Sequence, residues 1–124
     1  MPYVTITSSR GLSTEQKKNL LQHSSDAVVQ SIGAPLPSVR VMLHELPDGH
    51  YLNGGSFDTR ALMFEVDFII GRTDDQKAAL VAALSHAGSN VTGVPENEVR
   101  VRLVDFPKTN MGMAGGVTAD RLGR

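Results

Sequence analysis

Val4 and Ile6 alternate with Thr5 and Thr7 near the start of the chain, the two-residue period of a strand with one buried face. From Ser13 the period lengthens: Leu20, Leu21, Ala27, Val28 and Ile32 form one helical stripe. Ser13 and Gln16 have the spacing of a capping box and Gly33 is a stop signal, so a helix is predicted from Ser13 to about Ile32. Pro35 and Pro37 break the chain before a second alternating run, Val39 to Leu46, in which Val39, Val41 and Leu43 share a face. Pro47-Asp48-Gly49 is a turn signal, and Gly54-Gly55 marks a tightly bent segment after it.

The pattern then recurs. Ser13-Thr-Glu-Gln-Lys17 returns as Thr73-Asp-Asp-Gln-Lys77, Gly33-Ala-Pro35 as Gly93-Val-Pro95, Val39-Arg-Val-Met-Leu43 as Val99-Arg-Val-Arg-Leu103, and Pro47 as Pro107. All four pairs share one offset of 60 positions (13 to 73, 33 to 93, 39 to 99, 47 to 107), which chance does not produce. The second copy reads as a strand from Met63 to Ile70, a helix from Thr73 to about Val91, a strand from Val99 to Phe106, and a tail with Gly115-Gly116. The chain is expected to be one domain, residues 1–124, built of two units, 2–61 and 62–124. Strand, helix and strand at these lengths make a right-handed βαβ unit. The predicted fold is therefore α/β (α+β), a four-stranded sheet with both helices on one face. Val4, Ile6, Phe64, Val66 and Phe68 are too many to point all under the helices, so an apolar bare face is expected, buried in a homo-oligomer.

Composition narrows the function. A net charge of −1, no basic run and six aromatic residues (two Tyr, four Phe) argue against nucleic acid. Without Cys there are no disulfides, thiol nucleophiles or thiolate metal sites, and His23, His44, His50 and His86 are scattered away from ligand-like partners, so no metal is expected. No apolar stretch has membrane length and no signal sequence is evident, so a cytoplasmic protein is expected.

Pro2 is the candidate with chemistry of its own. If Met1 is removed, Pro2 carries a free secondary amine, and an α-amino group titrates close enough to neutrality to shuttle protons. The copies are not equivalent here: Pro2 becomes Leu62, Leu12 becomes Arg72, and Tyr51 becomes Met111.

The Pro2-headed strand, the capped helix ending in Gly33-Ala-Pro35, the Ser38-Val-Arg-Val41 strand, and Gly49-His-Tyr51 before Gly54-Gly55 together resemble the 4-oxalocrotonate tautomerase family. The resemblance covers the first copy almost end to end and most of the second, as a fused form in which three chains complete the assembly that six single units make elsewhere. It implies a cofactor-free isomerase that tautomerises unsaturated 2-hydroxy or 2-oxo acids such as 2-hydroxymuconate. By that resemblance Pro2 is the base, and Arg40, with Arg100 as its counterpart, holds the 2-oxo and carboxylate oxygens. Arg72, from a neighbouring unit, holds the distal carboxylate; Arg10 is an imperfect substitute for it in the first copy, and Tyr51 lines the pocket. Clustered guanidinium groups would also lower the amine's pKa and stabilise a developing oxyanion. With Leu62 in place of proline, the second copy is expected to be catalytically silent. The alternatives are a dehalogenase or hydratase of small unsaturated acids, for which Asp120 is the one carboxylate side chain after Phe106, and a non-enzymatic assembly protein with a blocked amine.

Overall fold

Two side-chain caps start the two helices in a computed structural model that describes residues 1–123; Arg124, the end of the predicted second unit, lies outside the described residues. Ser13 accepts from the Gln16 N–H at 3.1 Å while its own N–H donates to Gln16 Oε1 at 2.9 Å. Thr73 and Gln76 repeat both bonds at the same distances. Each helix ends on a left-handed glycine, Gly33 (φ 66°) or Gly93 (φ 75°), a conformation that costs glycine little.

Between these caps run α1 (Thr14–Ile32) and α2 (Asp74–Thr92). The main strands are β1 (Tyr3–Ser8), β2 (Arg40–Glu45), β5 (Leu62–Ile69) and β6 (Val99–Phe106). Two small hairpins complete the chain, β3 (Leu52–Asn53) with β4 (Ser56–Phe57) and β7 (Gly112–Met113) with β8 (Val117–Thr118), and they turn at Gly54-Gly55 and near Gly115-Gly116. The strand boundaries differ slightly from the predicted ones. Val39 closes a 3-10 turn, its N–H donating to Leu36, so β2 begins one residue later. Leu62 pairs with both Ser8 and Val99, so β5 begins one residue earlier.

The sheet order is β2-β1-β5-β6, parallel within each copy and antiparallel where the copies meet. Thr5 lies opposite Glu65, its own repeat counterpart. An approximate twofold axis therefore passes between those two residues, and the N-terminal ends of the two copies point to opposite ends of the sheet.

The expectation about the bare face is corrected. Val4, Ile6, Phe64, Val66 and Phe68 all lie under the helices, each at most 2% exposed. The antiparallel register makes this possible, because Val4 pairs with Val66 and Ile6 with Phe64, partners that share a face. The open face carries Tyr3, Thr5, Thr7, Met63, Glu65 and Asp67 instead, with Arg102 bound to Glu65 at 3.0 Å. Partial burial, reinforced by the charge of Glu65, raises the pKa of Asp67, and Arg102 opposes the shift.

Core packing differs between the copies in compensating ways. Where the first copy has Pro2, Val4 and Val28, the second has Leu62, Phe64 and Gly88. A Cβ on Gly88 would stand 2.6 Å from Leu62 Cδ2 and 2.9 Å from Phe64 Cζ, so the larger strand residues fit because the helix gave up its side chain. Gly88→Ala is expected to destabilise by about 1 kcal/mol, overpacking of about 1–3 kcal/mol offset by about 1 kcal/mol of helix propensity. Leu62→Ala alone should cost about 2–5 kcal/mol, and adding Gly88→Ala to it should restore part of that loss. Thermal unfolding of the three variants at one protein concentration checks this; a stabilising Gly88→Ala would show that α2 and β5 have room to spare.

Candidate active site

Pro2 is less than 2% exposed and sits at the head of β1, where its carbonyl accepts from the Arg40 N–H at 3.1 Å. The Met1 amino group donates to Ser38 O at 3.1 Å, and the Ser38 hydroxyl donates to Met1 O at 3.4 Å. With Met1 attached, the Pro2 nitrogen is a tertiary amide without basicity. A cavity of about 630 Å³ adjoins this end, walled in part by Met1, Tyr3, Ser38, Arg40 and Met113. Loss of Met1 would enlarge it at the point where the amine appears.

Tyr3 pairs with Asp67, so the same register continued by one residue sets Pro2 beside Phe68. The Arg72 guanidinium lies 5.6 Å from the centre of the Phe68 ring, in cation–π range, and donates to Ile69 O at 3.2 Å. Arg40 donates through Nη1 to Pro37 O at 2.7 Å and to Val39 O at 3.4 Å. Arg40 from the first copy and Arg72 from the second thus lie at the Pro2 end of the sheet. Neither arginine has a carboxylate partner among the ion pairs of the described residues, which leaves donors free for an anionic ligand.

The other three residues singled out from the sequence lie at the opposite end, about 20 Å away along a six-residue strand. Arg100 is the register partner of Met63 and donates to Asn97 O at 2.7 Å, as Arg40 does to Pro37. Tyr51 and Arg10 wall a cavity of about 210 Å³ with Asp58 and Arg60, and Arg10 is ion-paired with Asp48. Within one chain, then, Pro2, Arg40 and Arg72 gather at one end, and Leu62, Arg100, Tyr51 and Arg10 at the other. Sequence reasoning missed Phe68, the ring between Pro2 and Arg72, and Met113, whose hairpin forms a wall beside Met1. The sequence carried no signal for either, because only the antiparallel join of the copies, which the repeat does not reveal, brings the second copy's hairpin over the first copy's end.

A second broad hollow, about 380 Å³, lies on the open sheet face over Thr5, Met63, Glu65, Arg100 and Arg102. Asp120 is exposed in the short turn Ala119–Leu122. Among the described residues no helix is long and apolar enough to cross a membrane.

Similarities to known proteins bear on this arrangement. A 2-hydroxymuconate tautomerase of Pseudomonas putida is 40% identical over 60 residues, covering 48% of this chain and 95% of that protein. The crystal structure of Pt0534 inactivated by 2-oxo-3-pentynoate superposes with a TM-score of 0.97 at 70% identity, covering 98% of this chain and 99% of the other. A fused 4-OT, solved as a wild-type symmetric trimer, gives 0.94 at 43% identity with the same coverage. The family model described as tautomerase enzyme matches twice, at residues 2–59 and 64–121, one match for each copy of the repeat. Two complete family units joined head to tail across one antiparallel strand pair account for both the sequence repeat and the twofold sheet, and the chain belongs to the tautomerase enzyme family in its fused form.

Proposed function

We propose that the chain, once Met1 is removed, is a cofactor-independent tautomerase of unsaturated 2-hydroxy acids of the 2-hydroxymuconate type, with Pro2 as general base. The observation that carries this reading is the gathering of Pro2, Arg40 and Arg72 at one end of the sheet, beside a cavity of about 630 Å³. The freed secondary amine takes the proton of the 2-hydroxyl, the electron pair flows through the conjugated chain to a carbon, and the resulting ammonium returns the proton there. Arg40 holds the 2-oxygen and adjacent carboxylate, where negative charge grows as the proton leaves, and Arg72 holds the far carboxylate. Burial and both guanidinium groups disfavour the protonated amine, which keeps Pro2 competent near neutral pH. The 2-hydroxymuconate tautomerase relative supports the substrate class.

The inactivating reagent of the Pt0534 structure supplies the test. An acetylenic 2-oxo acid accepts an amine at the alkyne carbon remote from the ketone. The processed chain should take up one equivalent of 2-oxo-3-pentynoate, on Pro2, with complete loss of 2-hydroxymuconate turnover. An adduct on another residue, or turnover that persists in the Pro2-modified chain, would overturn the reading.

The chain is further proposed to assemble as a trimer, supported by the fused 4-OT trimer and by an open sheet face on which Met42 and Val104 are 45% and 36% exposed. Analytical ultracentrifugation is expected to give three times the 13.3 kDa chain mass; a stable monomer contradicts it.

A further inference from the structure

Another inversion between the copies leaves space. Ser8 occupies the position at which the second copy has Phe68; both are buried, but the serine is far smaller. At the Leu62 end the result is a hollow of about 120 Å³ whose walls include Ser8, Arg10, Leu12, Gln16, Arg60 and Thr92. The Ser8 hydroxyl, 1% exposed as a residue, has no hydrogen-bond partner, an expensive state for a buried donor and acceptor.

The charged side chains that line this hollow are basic, although Glu45 Oε2 accepts from the N–H of the lining Leu12 at 3.3 Å. Two arginines line it and no carboxylate does. Arg60 donates to Thr92 O at 2.7 Å and Gly93 O at 2.8 Å, covering the negative end of α2 and leaving part of its guanidinium unused. Arg10 engages Asp48 through Nε, which leaves its terminal nitrogens available. Gln16, from the first turn of the 19-residue α1, also lines the hollow.

We propose that this hollow binds one small oxyanion of carboxylate size, held by the Ser8 hydroxyl with Arg10 and Arg60. The site is separate from Pro2, at the other end of β1, and does not depend on the catalytic reading. A few waters could also fill such a volume, so the experiment must tell an anion from solvent.

The measurement is a titration of the assembled, 15N-labelled protein with sodium acetate against sodium chloride at constant ionic strength, with sodium phosphate as a second arm. Saturable amide shifts at Ser8, Gly11 and Ala61 with acetate are expected, together with a rise in Tm of about 4 °C at ten times Kd. Saturation by acetate alone identifies a carboxylate site, and saturation by phosphate as well a general oxyanion site. Ser8→Val, which fills the hollow, should abolish the shifts and the rise in Tm, whereas Arg72→Ala should keep both. If Ser8→Val does not assemble, Arg10→Gln on the surface should weaken acetate about tenfold. Shifts that do not saturate, that chloride matches, or that are confined to residues around Pro2 would sink the proposal and leave a water-filled hollow.

Discussion

With Met1 left in place, the protein is expected to lose about 10²–10⁴ of its kcat/KM on 2-hydroxymuconate, the usual contribution of a positioned general base. The loss follows from bonding alone: an acylated Pro2 nitrogen has no lone pair for a proton, however well the arginines hold the substrate. Pro2→Ala, processed to a free N-terminus, should lose less, about 10²-fold, because a primary amine on a freer backbone remains. Since Pro2 is buried at the head of β1, both forms need sedimentation and circular dichroism to show that assembly and fold survive. Mass spectrometry of the purified chain tells whether Met1 is present, and turnover by a chain that retains it fully would rule out the amine as base.

The second large effect is selective. Arg72→Ala should reduce kcat/KM on a dicarboxylic substrate such as 2-hydroxymuconate about ten- to a hundredfold, the equivalent of about 1.5–3 kcal/mol for a lost charge-assisted contact. On the monocarboxylic phenylenolpyruvate it should do little. Arg40→Ala should depress kcat on both, because the charge it faces grows during the reaction in either substrate. Arg72 is already held in place by Phe68, whose ring centre is 5.6 Å away, and by Ile69 O, so its loss removes a positioned charge. Equal impairment on both substrates would move the distal-carboxylate contact away from Arg72.

Much of the fold could be read from residue order, because its signals are local. The capping boxes at Ser13 and Thr73 and the left-handed glycines 33 and 93 bound both helices to within a residue. What could not be read was how the copies meet. A 60-residue offset is equally compatible with parallel and antiparallel joining of the copies, and alternation tells which side chains share a face without telling which face takes the helices. The expectation of an apolar open face failed on this point. The same missing fact hid the split of the candidate residues: Arg72 reaches the Pro2 end and Tyr51 the Leu62 end only because β1 and β5 run in opposite directions.

That antiparallel join has a stoichiometric consequence. In an assembly of separate units every unit begins with its own amino group, so each end of each twofold pair has the same potential chemistry. Here the residue at the second end, Leu62, is linked through its nitrogen to Ala61, and that peptide bond removes the amine before any side chain is considered. Restoring proline at 62 would give a tertiary amide and nothing more; only a break in the backbone before Leu62 could make the second end basic. Fusion thus leaves one free α-amino group for each pair of units, by covalent structure alone. The second end is then filled by packing instead, and Leu62, Ser8 and Gly88 are among the positions where the two copies differ most in size.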